Sequence, residues 1–111
     1  MHMGSMATIG THAPPNFKHI LINNGSHDSV GGQPTRGFDI HFTSIAQACG
    51  YKQVWRVSGQ EEIGEAMVKL RECEGPALLE VLVNKGARKN LGRPKSSPIQ
   101  NKNDFMDFLQ G

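Results

Sequence analysis

Cysteine is almost missing from these 111 residues: there are two, Cys49 and Cys73. They stand far apart, each in a helical pattern. That excludes a densely stapled secreted domain and favours reduced thiols in a cytosolic setting. No apolar run reaches the length of a membrane span, and no basic-then-apolar leader opens the chain. The expectation is a cytoplasmic protein with no membrane partner. Hydrophobic residues are scarce too, at 37%. A short chain already buries a small share of its surface, so this lean composition suits a piece that packs against neighbours. Acid is absent from one stretch. Between Lys85 and Lys102 there are six basic residues and no Asp or Glu, although the whole chain carries a formal charge of only +2. There is no internal repeat.

What is present alternates between helix and strand. Met3, Met6, Ala7 and Gly10 share one helical face, so residues 1–11 are expected to form a helix stopped by Gly10 and Pro14-Pro15. Residues 17–22 end in Ile20-Leu21-Ile22, which suits a parallel strand covered on both faces. Asp39 is placed to cap a helix to about residue 49, with Phe42, Ile45, Ala46 and Cys49 buried and Gly50 as its stop. Residues 53–57 read as the second strand. Ser58-Gly-Gln-Glu61 has the form of a capping box. The helix it opens carries Ile63, Ala66, Met67 and Leu70 at helical spacing and ends at Gly75-Pro76. Residues 77–83 are the third strand. Trp55 and Met67 are expected to fill the core or an interface. Residues 86–100, with Pro94 and Pro98, are expected to be irregular and basic. Asn103 or Asp104 would then cap a short last helix holding Phe105, Met106, Phe108 and Leu109. Strand alternating with helix predicts an α/β fold with a three-stranded parallel sheet, flanking helices and right-handed crossovers.

The first strand breaks abruptly into Asn23-Asn24-Gly25 and a loop to Gly37. Long ordered loops tend to be functional, and ligands of open α/β sheets bind at the carboxyl edge of the strands. An asparagine amide and a turn carbonyl both offer oxygen, which magnesium prefers. A glycine lets the chain turn and approach a ligand closely. By themselves such tripeptides are ordinary turn chemistry.

The longer run Asn23-Asn-Gly-Ser-His-Asp-Ser-Val-Gly-Gly-Gln-Pro-Thr35, with Gly86-Ala-Arg-Lys-Asn-Leu-Gly-Arg-Pro94, resembles the phosphonopyruvate decarboxylases, a family of thiamine-diphosphate enzymes. Sulfopyruvate decarboxylases stand beside them as close relatives. The first run is similar to the second half of the cofactor motif, which opens with Gly-Asp-Gly and closes with Asn-Asn. No Gly-Asp-Gly occurs in this sequence, and residues 1–10 resemble the helix that follows it. His2-Met3-Gly4-Ser5 has the form of a cloning scar, but residues 3–10 continue the resemblance and are read as native. The resemblance therefore implies that residues 1–111 are the C-terminal portion of a thiamine-diphosphate (diphosphate-binding) domain, with the basic irregular segment 86–100 inside it. It implies an N-terminal domain elsewhere in the enzyme, a homo-oligomer, and little activity from this piece alone.

By the same resemblance Asn24 gives a side-chain oxygen and Ser26 a backbone carbonyl to Mg2+. Asn24, Gly25 and Ser26 thus form the cofactor-binding edge for thiamine diphosphate, while Asn23 braces the turn. His27 and Asp28 are candidates for proton transfer at that edge, or else an exposed histidine beside an Asx turn. Ser29, Gly31, Gly32 and Gln33 face substrate through backbone amides or merely shape the loop. Arg88 and Arg93, with Lys85, Lys89 and Lys95, are candidates for the anionic group of a small 2-oxo acid, since Arg offers a forked donor set. Acidic partners on other domains are the alternative. Nucleic acid is not expected, because no aromatic residues interleave with the charges. The implied reaction is decarboxylation of phosphonopyruvate to phosphonoacetaldehyde and carbon dioxide. The rivals are sulfopyruvate as substrate and a non-catalytic module that shares the fold.

Overall fold

The computed structural model describes residues 3–111. Three parallel strands form the centre: β1 (Lys18–Asn23), β4 (Gln53–Val57) and β5 (Ala77–Leu82), in the order β1-β5-β4. Two short strands, β2 (Ser26–His27) and β3 (Gln33–Pro34), pair antiparallel inside the loop after β1. The helices are α1 (Gly4–His12), α2 (Phe42–Ala48), α3 (Gln60–Glu72) and α4 (Pro98–Gln110). The expected α/β architecture is therefore present. Met1 and His2, where the first helix was expected to begin, lie outside the described residues.

The register puts Leu21, Glu80 and Arg56 at one level across the sheet. Because side chains alternate along a strand, the two faces separate cleanly. Ala77, Leu79 and Val81 pack with Ala66 and Leu70 of α3, joined by Trp55, Val57 and Ile63. On the other face Leu78 packs with Met6, Ala46 and Tyr51, joined by Val54 and Phe17. Helices α2 and α3 thus cover opposite faces. That follows when the chain crosses outward from β1 to β4 and then returns to β5 with crossovers of one hand. Helix α1 lies on α2 so closely that a Cβ on Gly10 would stand 1.6 Å from the Cys49 carbonyl oxygen.

Several expectations are corrected. β1 is an edge strand and is not covered on both faces: Ile20 and Ile22 are 44% and 61% exposed. Met67 does not fill the core: it is 42% exposed and lines a groove between α3 and Ile20 of β1. Asp39 does not cap α2; it closes a turn with Arg36, at 3.3 Å, and His41 stands at the cap position instead. The capping box is shifted by one residue, with Glu62 accepting from the Ser58 and Gly59 amides at 3.0 Å each. Gly59 supplies the extended cap conformation, so Glu62 rather than Glu61 falls in the third helical position. The irregular segment ends before residue 98, since Ser97 caps α4 by accepting from the Gln100 amide and Pro98 opens the helix. Every residue from 84 to 111 is exposed.

Candidate functional site

The carboxyl end of β1 delivers Asn23 and Asn24 to two different environments. Asn23 is buried and turns inward. Its amide nitrogen donates to Glu80 Oε1 and to the Gly37 carbonyl, each at 2.7 Å. Its oxygen accepts from the Gly25 amide at 3.1 Å. Asn24 stays at the rim, half-buried. Its Nδ2 donates to Asp28 Oδ2 at 2.8 Å, and its Oδ1 accepts from the Ser26 amide at 3.0 Å. Two successive Asx turns therefore shape the edge, a use of asparagine that competes well with regular structure. Gly25 sits between them at φ +62°, the left-handed region, and a Cβ there would strike the Phe38 ring at 2.5 Å.

Glu80 anchors this arrangement from below. It is fully buried on the central strand. Arg56 Nε lies 3.4 Å from Glu80 Oε2, an ion pair without hydrogen-bond alignment, and that oxygen has no hydrogen-bond partner among the described residues. Sequence reasoning passed over Glu80. Its signal was there: one acid within the apolar run Ala77-Leu-Leu-Glu-Val-Leu-Val83.

A groove of about 560 Å³ opens above β1, lined by Asn24, Gly25, Ser26, His27 and Thr35 among others. A second, of about 570 Å³, opens beside it over the ends of β4 and β5, with Phe38, Arg56 and Asn84 in its wall. His27 is exposed, and no hydrogen bond joins it to Asp28. Asp28 is engaged elsewhere. The Gly86 amide donates to Asp28 Oδ2 at 2.8 Å. That bond, with the Ser26 hydroxyl, Lys85 and Asn24, holds the carboxyl below its ordinary range. Lys85 Nζ reaches the Gly32 carbonyl at 2.9 Å. Ser29, Gly31 and Gln33 lie exposed along the loop, where Gly32 donates its amide to the His27 carbonyl at 3.0 Å. Arg88 and Arg93 are exposed and pair with no acid among the described residues. Cys49 and Cys73 are free, half-buried and apart from the loop.

The donor chemistry suits half of a magnesium site. Asn24 Oδ1 and the Ser26 carbonyl are neutral, hard oxygens at an open rim. No cluster of three or more His, Cys, Asp or Glu side chains suited to a metal occurs among the described residues. A complete shell would need ligands from another segment or from the cofactor's phosphates.

Residues 1–81 match the family model described as thiamine pyrophosphate enzyme, C-terminal TPP binding domain. The chain is 36% identical over 109 residues to a phosphonopyruvate decarboxylase of Streptomyces viridochromogenes, covering 98% of this chain and 28% of that protein. It is 35% identical over 108 residues to the phosphonopyruvate decarboxylase of Streptomyces hygroscopicus, covering 97% and 27%. The sulfopyruvate decarboxylase subunit beta of Methanococcus maripaludis is 28% identical over 110 residues, covering 99% and 58%. The chain thus spans a little over a quarter of the length of its phosphonopyruvate decarboxylase relatives. It belongs to the thiamine pyrophosphate enzymes, matching their C-terminal TPP binding domain over residues 1–81.

Proposed function

We propose that this chain forms one side of the magnesium–diphosphate anchor in a thiamine-diphosphate-dependent decarboxylase of small anionic 2-oxo acids, with phosphonopyruvate ahead of sulfopyruvate. The observation that carries the reading is the paired Asx turn, which holds the Asn24 oxygen and the Ser26 backbone at the open carboxyl edge of β1. Bound thiamine diphosphate supplies the electron sink that lets carbon dioxide leave a 2-oxo acid. This chain's residues hold and orient. Asn24 and Ser26 offer oxygens to the metal, and Gly25 keeps the rim free of side-chain bulk. Asn23 and Glu80 fix the turn from beneath. The cationic segment from Lys85 to Lys95 offers charge to the anionic end of the substrate. The remaining metal ligand, a partner subunit and an acid–base group would come from outside these residues.

Similarity favours phosphonate over sulfonate, 36% against 28% identity. The test is a longer protein that contains this sequence after a Gly-Asp-Gly segment, assayed for decarboxylation of both 2-oxo acids. Asn24→Ala should raise the magnesium needed for half-maximal activity about tenfold or more, as expected when a metal shell is disturbed. An unchanged magnesium requirement would sink the anchor. Isothermal calorimetry on the 111-residue chain alone should show little binding of thiamine diphosphate with magnesium.

A further inference from the structure

Two segments leave the same edge of the sheet from neighbouring strands: the loop after β1 and the cationic stretch after β5. They are joined at two points, by the Gly86 amide on Asp28 Oδ2 and by Lys85 Nζ on the Gly32 carbonyl. The first junction is the more telling. The same Asp28 oxygen that accepts from Gly86 at 2.8 Å also accepts from Asn24 Nδ2 at 2.8 Å. A carboxylate is an acceptor only, so it selects the nitrogen end of the Asn24 amide. The oxygen end is thereby turned toward the Ser26 side of the loop, and the amide cannot flip without losing that bond.

Beyond Gly86, which turns at φ +94°, no hydrogen bond or ion pair among the described residues ties 87–96 to the loop or the sheet. Residues 87–97 have no regular structure and are exposed throughout, with one turn bond from the Leu91 amide to the Arg88 carbonyl. The start of the segment that carries Arg88 and Arg93 is therefore held against the loop at Asp28 and Lys85. We propose that Asp28 is a positioning residue. It locks the orientation of the Asn24 amide and, together with Lys85, pins the start of the cationic segment, so that the segment leaves from a fixed point beside the metal-binding rim. This deepens the decarboxylase reading and rests on it for the identity of metal and substrate. The pinning itself is a property of the 111-residue chain.

The experiment uses that chain, labelled with nitrogen-15, as wild type, Asp28→Ala and Asp28→Asn. In Asp28→Ala the Gly86 amide should exchange with solvent about tenfold faster, as for loss of a hydrogen bond to a charged acceptor. The Asn24 side-chain amide resonances should move to free-asparagine positions, and trypsin should cut faster after Arg88 and Lys89. The Gly25 amide, which bonds Asn23 instead, should keep its exchange rate, and the melting temperature should hold. Asp28→Asn retains an acceptor oxygen and should restore part of the Gly86 protection. If Gly86 exchange and trypsin cutting are unchanged in Asp28→Ala, or if Gly25 loosens as much as Gly86, the positioning role is overturned. The second of these would mark Asp28 as a general support of the loop. None of these readouts involves magnesium or thiamine diphosphate, so this proposal and the decarboxylase reading fail separately.

Discussion

Asn23 and Glu80 meet in the interior, amide nitrogen to carboxylate oxygen at 2.7 Å, and this bond ties the functional loop to the central strand. Both hydrogens of the Asn23 amide are used, on Glu80 and on Gly37, and its oxygen serves Gly25. Only an amide can donate twice and accept once in that place. Asn23→Ala should cost about 1–3 kcal/mol, since it leaves buried acceptors unpaired. Asn23→Asp should cost more, despite its nearly identical shape, because it sets a second carboxylate against Glu80 and against the Gly37 carbonyl. Urea unfolding of both variants checks the ranking. An Asp variant as stable as wild type would show that the bond pattern is wrong.

Two glycines in helices should respond oppositely to alanine. Gly10 stands where α1 meets the Cys49 carbonyl, and a methyl there has no space unless the backbones part. Gly10→Ala should destabilise by about 1–3 kcal/mol, the usual range for overpacking. Gly64 lies within α3 with open space at its Cβ position. Gly64→Ala should stabilise by about 0.4–1 kcal/mol, through a smaller entropy loss on folding. Thermal melts of the pair separate close helix contact from mere helix preference.

His19 gives the fold a dependence on pH. It is half-buried against Tyr51, with Nδ1 3.1 Å from the phenol oxygen and Phe17 packed edge-on. Burial lowers its pKa below the ordinary 6.5. The unfolded chain therefore takes up a proton before the folded one does. Above pH 6.5 both states are neutral at this site and the histidine adds no slope. As pH falls through 6.5, protonation favours the unfolded chain and stability declines, levelling once the folded form also protonates. Urea midpoints taken between pH 8 and pH 5 should fall on the acid side in wild type and fall less in His19→Gln, about which the remaining groups set the slope. Equal slopes would remove His19 as the source.

Periodicity carried the fold well. β4 was read at its observed bounds, and Ala66, Leu70, Ala46 and Ile45 sit where their spacing predicted. The misses have local causes. Asp39 has the chemistry of a helix cap, but Arg36 and the turn at residues 36–39 claim it first. Glu62 outcompeted Glu61 because Gly59, not Ser58, took the extended cap conformation. Ser97-Pro98 was a stronger helix start than Asn103, with a capping hydroxyl followed by a proline at the first position. At the rim, the doublet Asn23-Asn24 was legible as an edge, and the bracing expected of Asn23 is met by its bonds with Gly37, Glu80 and Gly25. The bonds from Asp28 to Gly86 and from Asn23 to Glu80 were not, because each joins residues more than fifty positions apart. Only the parallel pairing of β1 with β5 brings them together.

The same pairing leaves the far side of β1 open, and that has a consequence in solution. Ile20 on β1 adjoins Met67 and Val68 on α3, the latter two 42% and 47% exposed, across an apolar groove of about 340 Å³, and Ile22 lies exposed further along the same strand. Helix α4 adds Ile99, Phe105, Phe108 and Leu109, all more than 60% exposed. Contiguous apolar surface beside an unpaired strand edge favours association, through burial of side chains and through strand pairing. Light scattering over a dilution series should show mass rising with concentration. The double variant Ile22→Lys with Val68→Glu should lower that mass, because it puts charge on the open face without touching the buried clusters. Truncation before residue 97 should remove only the part that α4 contributes, so the two changes apportion the association between the β1 edge and the last helix. A wild-type chain that stays monomeric at every concentration would mean that the exposed face of β1 is tolerated by water as it stands.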